Sequence, residues 1–380
     1  MIPSSLTQLL RKKAKELGFD LVGAIPVSRS KTIDVYNSWL KKGYAGSMGY
    51  LERHAELKED PRRLLPETMS LFALGFNYNT VDPSSRTQNP ELGCISRYAW
   101  GDDYHQLIRS KLSKLENYLC HELNAGMLSR SFVDSGPVLE REIAQRAGLG
   151  WIGKHSNLIN WEKGSWFFLA ELLVDVPLET NLPFTRVDCG TCTICIEACP
   201  TEAIIANRTV DARLCISYLT IELKGAIPVE LRPKMSNMIF GCDICQEVCP
   251  WNQNASKSPE SGLLPRPENV APELTELMKL DQSAFKKRFR KSPIKRTKRR
   301  GLLRNVAVAL GNWAHESAIP ALSLGLQDSE PLVRSHSAWA LGRISASQAK
   351  INLKAAKITE KDPAVLEEIE AALGACFYEN

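Results

Sequence analysis

Residues 189 to 200 read CGTCTICIEACP, four cysteines in twelve residues closed by a proline. The spacing CxxCxxCxxxCP is that of the bacterial iron–sulfur run, in which three thiolates hold one [4Fe-4S] cluster and the fourth serves a second. Such a run obliges the chain to supply another cysteine group, and GCDICQEVCP at 241 to 250 provides it. That group has Cys242, Cys245 and Cys249, but Ile239 stands where its first cysteine would fall, and Cys215 is the nearest replacement. Spacing then gives Cys189, Cys192, Cys195 and the crossing Cys249 to one cluster, and Cys199, Cys215, Cys242 and Cys245 to the other. Zinc also takes paired CxxC groups, but a third ligand one step on, followed by xxxCP, is not a zinc pattern. Cys94, Cys120 and Cys376 remain as ordinary reduced thiols, and nothing suggests an oxidising compartment in which the array would be disulfides.

The opening MIPSSLTQLLRKKAKELGFD has leucines at amphipathic-helix spacing rather than the unbroken apolar core of a signal peptide. No twin-arginine motif and no apolar run of membrane-spanning length occurs, so the expectation is a soluble, cytoplasmic protein with no membrane contact. With 380 residues, 44% of them hydrophobic, the chain can bury more than one core. The apolar runs LVGAIPV (21 to 27), LFALGFNY (71 to 78) and WFFLAELLVDVPL (166 to 178) alternate with helical stretches, which predicts a mixed α/β domain around a central sheet. GLGWIG at 148 to 153 satisfies GxGxxG formally, but it follows a helical stretch, whereas a dinucleotide fingerprint follows a strand. No GxxxxGK[ST] phosphate loop occurs, and DYHQLI at 103 to 108 has Ile108 where a DxHxxG cobalamin motif needs glycine.

Charge is concentrated. Between Lys286 and Arg300 the chain carries ten Lys or Arg and no acid, and elsewhere acids outnumber bases, 43 to 38. Immediately afterwards the sequence repeats itself: ALG recurs in AVALGN (307 to 312), AWALGR (338 to 343) and AALGA (371 to 375), at intervals of 31 and 32 residues. EPLVR and DPAVL match at 32. Each unit reads as a proline-started helix and a glycine-ended one, a short HEAT-like repeat. Solenoids of this kind have no catalytic centre and present an extended surface. Beside a basic run, that surface is suited to a phosphate backbone.

The motifs RYAWGDDYH (97 to 105), FVDSGPVLER (132 to 141), AGLGWIGKHSNLI (147 to 159), the cysteine array, CISYLTIELKGAIP (215 to 228) and the closing repeats together resemble the epoxyqueuosine reductase family, in order and over nearly the whole chain. That resemblance implies an α+β multidomain protein. Residues 1–180 would be a cobalamin-binding catalytic α/β domain, similar to those of reductive dehalogenases and nitroreductases. Residues 181–265 would be a bacterial-ferredoxin-like domain with two [4Fe-4S] clusters, and 266–380 the basic segment and HEAT-like repeats for tRNA. The implied reaction removes the epoxide oxygen of epoxyqueuosine at the tRNA wobble position, with electrons from an external flavodoxin- or ferredoxin-type donor, through base-off cobalamin, in a monomer. Asp134 matches the family's proton donor. A carboxyl before Ser-Gly-Pro otherwise reads as a helix cap. By the family's pattern Lys58, Ser96, Asp134, His155, Leu158, Leu169 and Ser217 would contact cobalamin. Glu222, Leu223 and Lys224 would form the tRNA loop, and Lys295, Arg296, Lys298, Arg299, Arg300 and Arg304 would contact phosphates. Two other readings are a dehalogenase-like corrinoid reductase of small molecules, for which the basic repeats have no use, and a non-catalytic iron–sulfur electron-transfer or scaffold protein.

Overall fold

The structure is a computed structural model describing residues 2–80, 89–123, 126–185 and 188–375; Cys376 lies outside the described residues. The chain forms two compact units, one of Met1–Val81, Asp102–Ala212 and Ile244–Leu264, the other of Asp82–Gly101, Arg213–Asp243 and Pro265–Asn380. This division has no break at the expected 180/181, and its break at Leu264/Pro265 is one residue from the expected 265/266. The cysteine-rich segment does not stand alone, because the chain leaves the first unit after Ala212 and re-enters it at Ile244. Among the described residues no helix is long and apolar enough to cross a membrane.

The first unit is built on strands β1 (Leu21–Pro26), β2 (Ser70–Asn77), β3 (Ser129–Val133) and β4 (Phe167–Val174), antiparallel in the order β1-β2-β4-β3. Three of the four are the apolar runs of the sequence. β2 is buried at every position, which is why it reads as a continuous apolar stretch rather than an alternating one. Helices α1 (Pro3–Glu16), α2 (Tyr104–Asn117) and α3 (Glu140–Arg146) pack against the sheet. Asp103 caps α2 by accepting the His105 N–H. Ile143, Ala144 and Ala147 share a core with Leu71, Ala73 and Leu173. Glu171 pairs with Ala73 on one side and Phe132 on the other, so its carboxyl is on the same face as Leu173 and is fully buried in that core.

In the second unit, Cys94–Ile95 pairs in parallel with Met238–Phe240, alongside α4 (Ile216–Ile221). The repeats are α5 (Lys298–Trp313), α6 (Ile319–Gly325), α7 (Pro331–Gly342), α8 (Ser347–Thr359) and α9 (Pro363–Ala375). Pro331 and Pro363 begin their helices as the repeat grammar requires. Of the ALG glycines, Gly342 is the last residue of α7, as that grammar expects, but Gly311 lies inside α5, and both serve close packing. A Cβ on Gly311, inside α5, would come within 2.8 Å of the Ala340 Cα, and one on Gly342 within 2.8 Å of the Ala372 Cα. Each repeat presses its glycine onto the alanine of the next repeat's ALG. A Cβ on Gly374, the last of the three, would meet nothing within 4 Å among the described residues. The basic run is folded as well: Phe285, Phe289, Ile294 and Thr297 are buried between its cations.

Candidate active site and cluster cavity

β3 ends at Val133, and the next residue, Asp134, has φ of 56°. Asp visits this left-handed region more readily than most residues, but it still stores strain of the kind found at functional sites. The Asp134 N–H donates to Glu140 Oε1 at 2.6 Å. Its Oδ2 accepts from the Tyr104 hydroxyl at 2.5 Å and lies 3.1 Å from His105 Nε2. His105 Nδ1 is 2.9 Å from Asp103 Oδ1, so the imidazole is held between two carboxylates. The Tyr104 ring stacks on Phe168, centroids 4.0 Å apart, and on His105 at 4.1 Å. Neither Asp134 nor Ser135 caps α3, whose cap position is Leu139; Ser135 Oγ accepts from Arg109 instead. The capping reading of Asp134 therefore fails.

The electrostatics behind Asp134 favour proton retention. Burial opposes a charge on His105, yet its bonds to Asp103 and Asp134 raise it to about 9. Burial, and next the Asp134 charge, push the Glu140 carboxyl up to about 8. Glu171 has two buried oxygens without a partner, and burial together with Glu140 drives it well above the usual carboxylate range. The Lys58 ammonium donates to Val138 O at 3.1 Å, and burial lowers its affinity for its proton.

His105 makes stability depend on pH. Its folded value lies above the ordinary 6.5, so its contribution is complete below about 6.5 and is lost as pH rises through about 9. Across that window the unfolding free energy of unloaded protein should fall more steeply than in His105→Gln, by up to ~1.4 kcal/mol per pH unit. Denaturant titrations at several pH values measure the difference. Parallel wild-type and variant curves would mean that His105 does not hold the proton.

Cys189, Cys192, Cys195 and Cys249 line one cavity with His155, Pro250 and Trp251. Trp151 closes the apolar wall, its ring 5.4 Å from Phe184 and 5.0 Å from Trp251. Burial pushes the Cys249 thiol up to about 11 and raises Cys195 too, so thiolates persist there only with cations among them. Among the described residues no three His, Cys, Asp or Glu side chains close on a single ion. The four thiols wall a cavity, an arrangement that fits a cluster bearing one iron per cysteine. The second group is divided between the units, with Cys199 and Cys245 in the first and Cys215 and Cys242 in the second. Cys199 Sγ accepts the Ala203 N–H at 3.3 Å.

Of the residues assigned to cobalamin by resemblance, Lys58, Asp134, His155, Leu158 and Leu169 belong to the first unit, and Ser96 and Ser217 to the second. Among the described residues the buried Ser96 Oγ has no partner, as a group that bonds a ligand would, and this hydroxyl fits the cofactor. Gly241 is required beside Ser96, because a Cβ there would come within 2.2 Å of the Ser96 Oγ. The Leu158 side chain is in the apolar core, which leaves only its main chain for a ligand. Leu169 packs at the edge of the same core opposite Gly75. Ser217 is half-buried, and its carbonyl accepts from Thr220.

The residues assigned to tRNA divide by exposure. Lys295, Arg296 and Lys298 are exposed, and Arg299 and Arg300 are half-buried. Arg296 pairs with Glu222, and Arg299 with Asp328. Lys224 Nζ donates to Ile221 O at 2.8 Å. Arg304 corrects the reading: it is fully buried and donates to the carbonyls of Leu219 (2.5 Å), Leu223 (2.8 Å) and Gly225 (2.7 Å). It shapes the loop bearing Glu222, Leu223 and Lys224 and does not face a phosphate. Sequence reasoning missed Tyr104, His105 and Glu140 as functional residues. The signal was present in DYH and VLER, but DYH had been weighed only as a corrin ligand.

The family model described as epoxyqueuosine reductase QueG, DUF1730, matches residues 58–135. A 4Fe-4S double cluster binding domain matches 188–252, and HEAT repeats match 296–374. The chain is 45% identical to the epoxyqueuosine reductase of Shigella dysenteriae, over 90% of this chain and 91% of the relative, and 44% identical to that of Escherichia coli, over 90% of each. It is similar in structure to an epoxyqueuosine reductase crystallised with an epoxyqueuosine-modified tRNA-Tyr stem loop: TM-score 0.92, 31% identity, covering 98% of this chain and 99% of that one. A Bacillus subtilis epoxyqueuosine reductase with its catalytic aspartate loop swung out of the active site gives TM-score 0.91 and 31% identity over the same shares. With relatives at this identity covering nine tenths of both chains, and with the strained Asp134 loop and the thiol-walled cavity in place, this chain belongs to the epoxyqueuosine reductase family.

Proposed function

We propose that this protein reduces epoxyqueuosine to queuosine at the wobble position of tRNA. The observation that carries the reading is the grip on Asp134, a strained carboxyl fixed by Tyr104 and His105 beside a chain-wide family match. Removing an epoxide oxygen as water, leaving a carbon–carbon double bond, consumes two electrons and two protons. When bound, base-off cobalamin supplies a strongly reducing cobalt, and two [4Fe-4S] clusters supply it with single electrons from an external flavodoxin- or ferredoxin-type donor.

The chain's own residues handle the protons and the substrate. Asp134 delivers a proton to the epoxide oxygen as the C–O bond opens. Its neighbours, His105 at about 9 and Glu140 at about 8, both carry protons at neutral pH. Both are raised in part by the Asp134 charge, so once Asp134 has given up its proton they are the nearest proton-bearing groups from which the second, the one that turns the departing oxygen into water, would be drawn. Tyr104 fixes the direction of the carboxyl through its hydroxyl, and its own ring is fixed on Phe168. Lys58, Ser96 and Ser217, with the main chain at His155, Leu158 and Leu169, would hold the corrin. Cys189, Cys192, Cys195 and Cys249 would hold one cluster, and Cys199, Cys215, Cys242 and Cys245 the other. A monomer acting in the cytoplasm, where tRNA is found, suffices for this reaction.

Lys295, Lys298 and Arg300 are our phosphate contacts, with Arg296 and Arg299 shared with the acids that pair with them. The loop of Glu222, Leu223 and Lys224 would meet the anticodon arm, and the wobble base would be extruded into the corrin pocket. Replacing Lys295, Lys298 and Arg300 together by alanine should weaken stem-loop binding for all tRNAs alike. It should also lower the slope of log affinity against log salt by about three. An unchanged slope would remove this surface as the docking site. The activity itself is tested by loading the protein anaerobically with iron, sulfide and cobalamin and offering epoxyqueuosine tRNA and a strong reductant. Queuosine should form with iron-loaded protein and not with zinc-loaded protein. Fully loaded protein that makes none would overturn the proposal.

A further inference from the structure

His155 has a hydrogen-bonding arrangement that the family's assignment to cobalamin does not explain. Its Nδ1 accepts the backbone N–H of Asn157 at 3.1 Å, so the ring proton is on Nε2. The residue is only 4% exposed, and this Nε2 has no partner among the described residues. A buried donor without an acceptor costs about 1–3 kcal/mol, which a missing acceptor would offset. His155 lines the same cavity as Cys189, Cys192, Cys195 and Cys249. A second buried N–H without a partner, Trp151 Nε1, belongs to the residue that packs with Cys249 and Cys189. Of these two unused donors, His155 lines the cavity and Trp151 packs on its cysteines, and the cavity's expected occupant offers acceptors in its sulfurs.

We propose that the His155 Nε2–H donates to a sulfur of the cluster held by Cys189, Cys192, Cys195 and Cys249, and thereby raises that cluster's reduction potential. The inference rests on the iron–sulfur reading of the chain and is independent of the substrate. A cluster gains negative charge on reduction, so a fixed donor stabilises the reduced form more than the oxidised one, and hydrogen bonds to the sulfurs are a recognised determinant of such potentials. His155 is in this sense a positioning residue for electrons.

The test is a potentiometric titration of the iron-loaded protein followed by EPR, which reads the two clusters separately and needs no tRNA. His155→Asn keeps a side-chain acceptor two residues before the Asn157 N–H, as in an Asx turn, but is too short to carry a donor to the same place. In that variant one cluster should become about tenfold harder to reduce, about 59 mV for a one-electron couple, while the other is unchanged. His155→Gln, which restores a longer amide donor, should shift less. An unchanged potential at full iron occupancy would overturn the proposal, as would an equal fall in both clusters. A loss of cobalamin affinity with both potentials intact would place the Nε2–H on the corrin instead. Pulsed EPR of wild-type protein carrying 15N-histidine gives a reading that no substitution can disturb. A histidine nitrogen should couple to one reduced cluster, and the absence of that coupling would also sink the idea.

Discussion

Replacing Asp134 by asparagine should slow epoxide removal by about 10²- to 10⁴-fold, the usual worth of a positioned general acid, with cluster and cobalamin occupancy unchanged. The substitution is chosen for its physical neutrality. Asparagine accepts the left-handed φ of 56° as readily as aspartate does, and its amide oxygen can still take the Tyr104 hydroxyl. What it lacks is a proton to give. The same change removes one of the two carboxylates that hold the His105 proton, so the His105 value should fall from about 9 toward its ordinary range, a shift that NMR of the imidazole reads without substrate. A single-turnover rate within a few-fold of wild type would mean that another group protonates the oxygen, with His105 the first to examine.

Arg304→Met should destabilise the second unit by about 3 kcal/mol, because it strands three carbonyl acceptors at about 1 kcal/mol or more each. Those carbonyls, Leu219, Leu223 and Gly225, bracket the loop assigned to tRNA. Denaturant unfolding of the variant should therefore show a lower midpoint. A residue that met phosphate would behave in the opposite way, leaving stability alone and reducing the salt slope by about one. Unchanged stability with a reduced slope would return Arg304 to the surface and contradict the buried geometry.

Arg304 also marks the limit of what the sequence could disclose. It stands four residues beyond an unbroken basic run, and in one dimension nothing separates it from Arg300. The two lie one turn apart on the same face of α5, and only the carbonyls of Leu219, Leu223 and Gly225 folded over that second turn bury Arg304 fully while Arg300 stays half-buried. The three strongly apolar strands were legible because burial on both faces leaves a continuous apolar run, whereas β3, SRSFV at the sheet edge, carries too little such signal. The cysteine array was legible because ligand spacing is local. The company Cys249 keeps with Cys189, Cys192 and Cys195 was legible because the run itself implies a partner group. The helix boundary at Glu140 was not, since the Ser-Gly-Pro segment resembles a cap and serves as the strained turn that presents Asp134. The ALG repeat shows a helix end, which Gly342 is, but close approach of one helix to the next is a tertiary property that no single repeat encodes.

The central claim is that this chain couples two electrons to the loss of one oxygen from a modified nucleoside in tRNA. The most direct test is an anaerobic reaction of fully loaded protein with an epoxyqueuosine stem loop and limiting reductant, followed by nuclease digestion and mass spectrometry. The account predicts one queuosine for every two electrons consumed, with the nucleoside lighter by one oxygen. Reductant consumed with the epoxide intact would contradict it.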